Sequence, residues 1–97
     1  MKKELKELLP LGTVVRLKDG EKKVMISGRI QQDERTHLIY DYCAVLWPEG
    51  MLDSESCFLF NNEDIGTLYY IGMQNEEEFH FRKVLEKALL EAQDIDY

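Results

Sequence analysis

Tyr40-Asp41-Tyr42-Cys43-Ala44-Val45-Leu46-Trp47-Pro48-Glu49-Gly50, followed after a short polar connection by Phe58-Leu59-Phe60-Asn61-Asn62-Glu63-Asp64-Ile65, is the stretch that decides the fold. An aromatic, β-prone run ends in a Pro-Glu-Gly turn, and a second short run ends in an acidic turn. Two strands of a small sheet follow from that pattern. Residues 38–46 alternate with apolar or aromatic side chains on both faces, so both sides of this strand are covered. Residues 61–65 suit a single 3₁₀ turn, with Asn as cap, acids in the first turn and Ile65 packing inward.

Working outward toward the N-terminus, residues 24–32 form the strand that pairs with residues 38–46 across a polar loop at 33–37. Gly28 in its middle predicts a bulge or a sharp bend at a close approach. Thr13-Val14-Val15-Arg16-Leu17 reads as the strand before it, joined through Lys18-Asp19-Gly20, where Asp-Gly favours a turn with positive φ. Residues 1–9 carry Leu5, Leu8 and Leu9 on one helical face and are stopped by Pro10 and Gly12, which predicts a short helix. Toward the C-terminus, residues 68–71 make the last strand, closed by Gly72. Asn75 is an N-cap with Glu78 three residues on, opening a helix over 76–92. Its predicted inner face is Phe81, Val84, Leu85, Ala88, Leu89 and Ala92, with Arg82, Lys83, Glu86, Lys87 and Glu91 outside. Residues 1–97 thus form one α+β domain. Its β-rich core over 13–71 is a small curled antiparallel sheet, or SH3-like barrel, of about five strands, with a short N-terminal and a C-terminal helix.

The 97 residues, 44% hydrophobic, hold one core; a chain this size buries roughly 60–65% of its unfolded surface. No apolar run reaches the roughly 20 residues of a membrane span, and Met1-Lys2-Lys3 leads into charged residues instead of a signal core. A cytoplasmic protein is expected. Cys43 and Cys57 form no CxxC arrangement and are read as small buried residues, not a disulfide framework or a zinc ribbon.

Charge is unevenly spread. Of the net -7, residues 1–30 contribute +4 and residues 31–97 contribute -11, and all ten aromatics lie in the acidic part. Nucleic-acid binders need cations interleaved with exposed aromatics, because phosphate neutralisation supplies the affinity. That segregation argues against nucleic acid, and the acidic field argues against anionic membranes. An acidic surface suits a basic or amphipathic protein partner, or serves solubility alone.

Reaction chemistry is not indicated. His37 and His80 have no metal-ligand spacing, Cys43 has no histidine beside it, and there is no phosphate loop, GxSxG or HExxH. No enzyme activity, cofactor or metal is therefore predicted. Asp41, a carboxylate between two tyrosines in an apolar strand, calls for a partner such as Arg29 on the neighbouring strand.

Three segments carry a resemblance: LLPLGTVVRLKDGEKKVMISGR, YDYCAVLWPEG and FLFNNEDIGTLYYIGMQNEEEFHF. From Leu8 to about Phe81 the chain resembles a family of small uncharacterised proteins, a domain of unknown function. The family is from Gram-positive bacteria (Firmicutes), encoded near type VII (ESX, WXG-type) secretion and LXG toxin genes. The resemblance implies a cytoplasmic accessory role and no catalytic residue. Taken together, these readings predict a protein-interaction module: an adaptor for, or immunity-like partner of, a secreted effector or secretion component. Candidate contacts are Tyr40, Tyr42, Trp47, Glu49, Asp53, Glu55, Glu63 and Asp64. The alternative is a homodimeric regulatory or scaffold protein joined through Phe79 and the face around Leu89, or through an edge strand.

Overall fold

Five strands and one long helix make up the computed structural model, which describes residues 8–95. In chain order they are β1 (Val14–Leu17), β2 (Lys23–Gln32), β3 (Ile39–Leu46), β4 (Phe58–Phe60), β5 (Ile65–Tyr70) and α1 (Glu76–Ile95). A 3₁₀ turn over Asn62–Asp64 joins β4 to β5. All pairings are antiparallel and the order across the sheet is β4-β3-β2-β1-β5. The α+β, five-stranded expectation is met.

This order forces the sheet to curl. In a flat five-stranded sheet the outer strands lie roughly 19 Å apart. The connection from Phe60 to Ile65, with a 3₁₀ turn inside it, reaches roughly 12 Å. The two edges must therefore bend toward each other. The concave side closes over Val15, Val24, Ile26, Tyr42, Ala44 and Phe60, with Leu8 completing the core. Tyr42 and Phe60 are directly paired across β3 and β4, and their rings pack 5.5 Å apart.

The expected bulge sits beside Gly28. Register shifts between Ile26 and Gly28, so Ser27 is the extra residue. An added Cβ on Gly28 would lie 2.7 Å from the Cys43 sulfur, so the close neighbour is a side chain. One extra residue also reverses facing parity along the strand. Before the bulge Val24 and Ile26 point inward; after it Arg29, opposite Tyr42, does so. That shift explains why the predicted Arg29–Asp41 pair does not form. Arg29 is carried to the helix, while the Asp41 carboxylate accepts the Asn62 N–H at 2.8 Å and its own N–H donates to Asn61 Oδ1 at 3.0 Å.

Helix α1 begins as read: Asn75 Oδ1 accepts the Glu78 N–H at 3.0 Å. Its inner face differs. Arg82 and Leu89 are buried and Leu85 packs on the core, whereas Phe81 and Val84 are half exposed. Electrostatics sets that rotation. The Glu78 carboxylate lies between two guanidinium groups, hydrogen-bonded by Arg29 Nη1, by Arg29 Nη2 at 2.8 Å and by Arg82 Nε at 2.8 Å. Arg29 Nη1 also donates to the Leu9 carbonyl, and Arg82 Nη2 to Gln74 Oε1 at 2.6 Å. The rings of Phe81 and Phe79 lie 5.8 and 5.3 Å from the Arg29 and Arg82 guanidinium carbons. Periodicity counts apolar residues, so it cannot anticipate an arginine as the inward position.

Other boundaries moved slightly. The last strand starts at Ile65 instead of 68, and α1 runs to Ile95 instead of 92. Gly20 does not adopt positive φ, because a five-residue connection between β1 and β2 is closed by Gly20 N–H to the Leu17 carbonyl at 3.0 Å. The short helix expected over 1–9 lies, for residues 1–7, outside the described residues; Leu8 and Leu9 are in no regular element. Gly72 has a packing role. An added Cβ there would fall 1.9 Å from the Leu11 carbonyl oxygen, and its N–H donates to the buried Thr13 Oγ1 at 3.1 Å. The chain leaving β5 thus crosses the segment entering β1 at backbone contact.

Candidate functional site

The convex side of the sheet carries a continuous apolar row. Tyr70, Val14, Met25 and Val45 stand directly opposite one another across β5, β1, β2 and β3. Trp47 follows two residues after Val45, where β3 passes into the Pro-Glu-Gly turn, and its N–H donates to the Lys23 carbonyl at 2.9 Å. Strand alternation puts Lys23 on the same side as Met25. Its amine lies 4.7 Å from the Tyr69 ring centroid, a cation–π contact that holds the stem across the surface.

A groove of about 530 Å³ results, lined by Gly12, Val14, Lys23, Met25, Trp47, Tyr69 and Tyr70. Val14 forms its buried floor, while Trp47, Tyr69 and Tyr70 remain 44, 46 and 63% exposed. Register explains why two successive tyrosines are both open. The β1–β5 ladder slips between Val14 and Val15, so the strict in-and-out alternation of β5 breaks before Tyr70. On the rim, Lys22 and Glu49 pair at 2.7 Å. The hydrogen bond from Lys22 holds the Glu49 carboxyl below its ordinary range.

The sequence-predicted contacts separate into several places. Trp47 and Glu49 share the exposed turn beside the groove. Tyr40 is half buried on β3. Tyr42 is not a surface anchor: it is fully buried, its hydroxyl accepts the Leu9 N–H and donates to Asn62 Oδ1, both at 3.0 Å. Burial pushes its hydroxyl pKa up, against the opposing bond from Leu9. A ring that fills the core and bridges two loops is committed to structure.

Asp53 and Glu55 lie in the exposed β3–β4 connection, where Asp53 Oδ1 accepts the Glu55 N–H at 2.8 Å and the Ser56 hydroxyl at 2.9 Å. Glu63 and Asp64 lie exposed in the 3₁₀ turn, and Asp64 Oδ2 accepts the Asn61 N–H at 2.9 Å. Asp53 and Asp64 therefore build their own turns as well as carrying surface charge. For the dimer contact, Leu89 is buried within the chain, and Phe79 lies against Arg82 with about half of its surface exposed.

Tyr69, Tyr70, Met25 and Lys23 were missed. One signal was present: two adjacent tyrosines in a strand cannot both face a core. The segregation of aromatics from cations along the chain also does not survive folding, since the start of β2 brings Lys23 to Trp47 and Tyr69.

Neither cysteine is the buried residue expected. Cys57 is exposed and Cys43 half buried. Local desolvation, with the neighbouring Cys43 thiol, pushes Cys57 up to about 11, so it is protonated at neutral pH and a poor nucleophile. Among the described residues, no group of three or more His, Cys, Asp or Glu side chains is arranged to hold a metal ion. No helix among them is long and apolar enough to cross a membrane.

Residues 8–81 match a protein family described as a domain of unknown function, DUF4176. No curated protein and no solved structure matches the chain significantly.

Proposed function

We propose that this chain, which belongs to the DUF4176 family of domains of unknown function, is a non-enzymatic protein-interaction module. It binds its partner on the Trp47–Tyr69–Tyr70 groove. The single observation that carries the reading is this apolar row, buried at its floor and open at its aromatic rim. Aromatic rings supply large contact area at low entropic cost, and exposed clusters of them beside an apolar floor are the usual anchors of protein interfaces.

The setting proposed is the one the sequence resemblance implies: the cytoplasm of a Gram-positive bacterium, beside type VII secretion. There the partner is a secreted effector or a secretion component, and the chain is its adaptor or immunity-like binder. With a net charge of -7, the surface outside the groove favours a partner with basic character.

The test is capture of partners from native cells with the wild-type chain and with Trp47→Ala. A specific protein retained by the wild type and lost from the variant supports the reading. Equal recovery by both, with the variant folded, removes the groove from it.

A further inference from the structure

β5 ends the sheet: among the described residues its backbone pairs with β1 alone. Such an edge leaves alternate N–H and C=O groups facing outward, ready to pair with another chain. Natural edges are guarded by charge, by proline or by shortness. The opposite edge, β4, is three residues long. β5 lacks all three, and carries instead an irregular register with β1, between Val14 and Val15 and between Arg16 and Leu17. Its six residues, Ile65-Gly66-Thr67-Leu68-Tyr69-Tyr70, include no charge and no proline, and Leu68 is 47% exposed beside the two open tyrosines.

The chain at both ends of this edge is acidic, while along it Arg16 Nη2 donates to Thr67 Oγ1 at 3.3 Å and the Lys23 amine lies over the Tyr69 ring. Exposed Glu63 and Asp64 precede it, and exposed Glu76 and Glu77 open the helix that follows it. Two copies of β5 paired with each other, in either direction, would bring these carboxylates together, on chains that each carry a net -7. A segment of another protein with basic ends meets attraction at the same positions.

We propose, building on the reading of the chain as a protein-binding module, that β5 receives its partner by strand addition. The occupant is an extended, uncharged, β-prone segment of about six residues flanked by Lys or Arg, lying along β5 as a sixth strand. Main-chain hydrogen bonds supply the pairing, and the flanking cations set the register against the two acidic ends. Tyr69 and Tyr70 then belong both to the edge and to the groove, which joins the added strand to the apolar row.

The probe is the synthetic peptide Lys-Lys-Thr-Val-Thr-Val-Thr-Val-Lys-Lys, read by amide hydrogen exchange of the full chain. Exchange within β5 should slow by about tenfold or more as the peptide saturates it. Methylating alternate peptide nitrogens should abolish the effect, and exchanging the flanking Lys for Glu should weaken binding by about tenfold or more at low salt. Leu68→Lys, at a half-exposed site, should leave melting nearly unchanged and remove the protection. Unchanged β5 exchange at millimolar peptide overturns the proposal. So does protection in peptide-free protein accompanied by a doubled mass in light scattering, which assigns the edge to a second copy. A native partner lost from Trp47→Ala but kept by Leu68→Lys overturns strand addition while leaving the groove reading intact; one kept by both overturns the two together.

Discussion

Replacing Glu78 with glutamine removes the carboxylate that lies between the Arg29 and Arg82 guanidinium groups. The three side chains are 12, 3 and 7% exposed, so water does little to screen the two cations left behind. Breaking a buried ion pair by deleting one partner costs about 3–5 kcal/mol. In a domain of this size that lowers the melting temperature by roughly 15–30 °C. Circular dichroism melts at neutral pH measure it. A pH series adds an independent check. The hydrogen bonds from Arg29 chiefly, and from Arg82, hold the Glu78 carboxyl below the ordinary glutamate value. A carboxyl depressed in the folded state contributes stability that is fully present above the unfolded value of about 4.3 and is lost as pH falls through the folded one. The gap between wild type and Glu78→Gln should therefore be full at neutral pH and shrink below about pH 4. A loss under about 3 °C, or a gap that does not change with acid, would refute the clamp.

Three further outcomes follow from named contacts. Gly72→Ala forces a methyl into the Leu11 carbonyl and should cost about 3 kcal/mol in urea unfolding, whereas Gly50→Ala meets no neighbour and acts only through its positive φ. Glu49→Ala, in the exposed turn, should leave the melting temperature nearly unchanged, because its partner Lys22 is itself half exposed. Once a partner is in hand, stopped-flow association should slow as salt rises while dissociation changes less, and charge reversal at Glu63 or Glu55 should slow it further. Asp53 and Asp64 are poor choices for that test, since each also fastens a turn.

Much of the fold was legible in residues 38–65, because a two-faced strand, a Pro-Glu-Gly turn and an Asn-capped acidic turn are local signals with one reading each. The Asn75 cap worked for the same reason. What sequence could not show was long-range parity. Ser27, one extra residue, turns Arg29 inward, and Arg29 in turn rotates α1 to bury Arg82 in place of Phe81. Neither step leaves a periodic trace. The site was half legible. Trp47 and Glu49 stand where the turn puts them, but Tyr42 looked like a surface aromatic only because strand alternation does not reveal which face is the core. Tyr69 and Tyr70 reach Lys23 through the β1–β5 pairing, which joins residues more than forty apart and which no local pattern encodes.

The central claim is that a protein partner sits on the Trp47–Tyr69–Tyr70 groove. The most direct test is a hydrogen-exchange footprint of the full chain with and without the protein that co-purifies with it from native cells. Slowed exchange confined to Ile65–Tyr70, the start of β2 and the turn at residues 47–50 is the expected result. Protection that instead falls on the outer face of α1 or the loop at residues 53–56, with β5 unchanged, would contradict it.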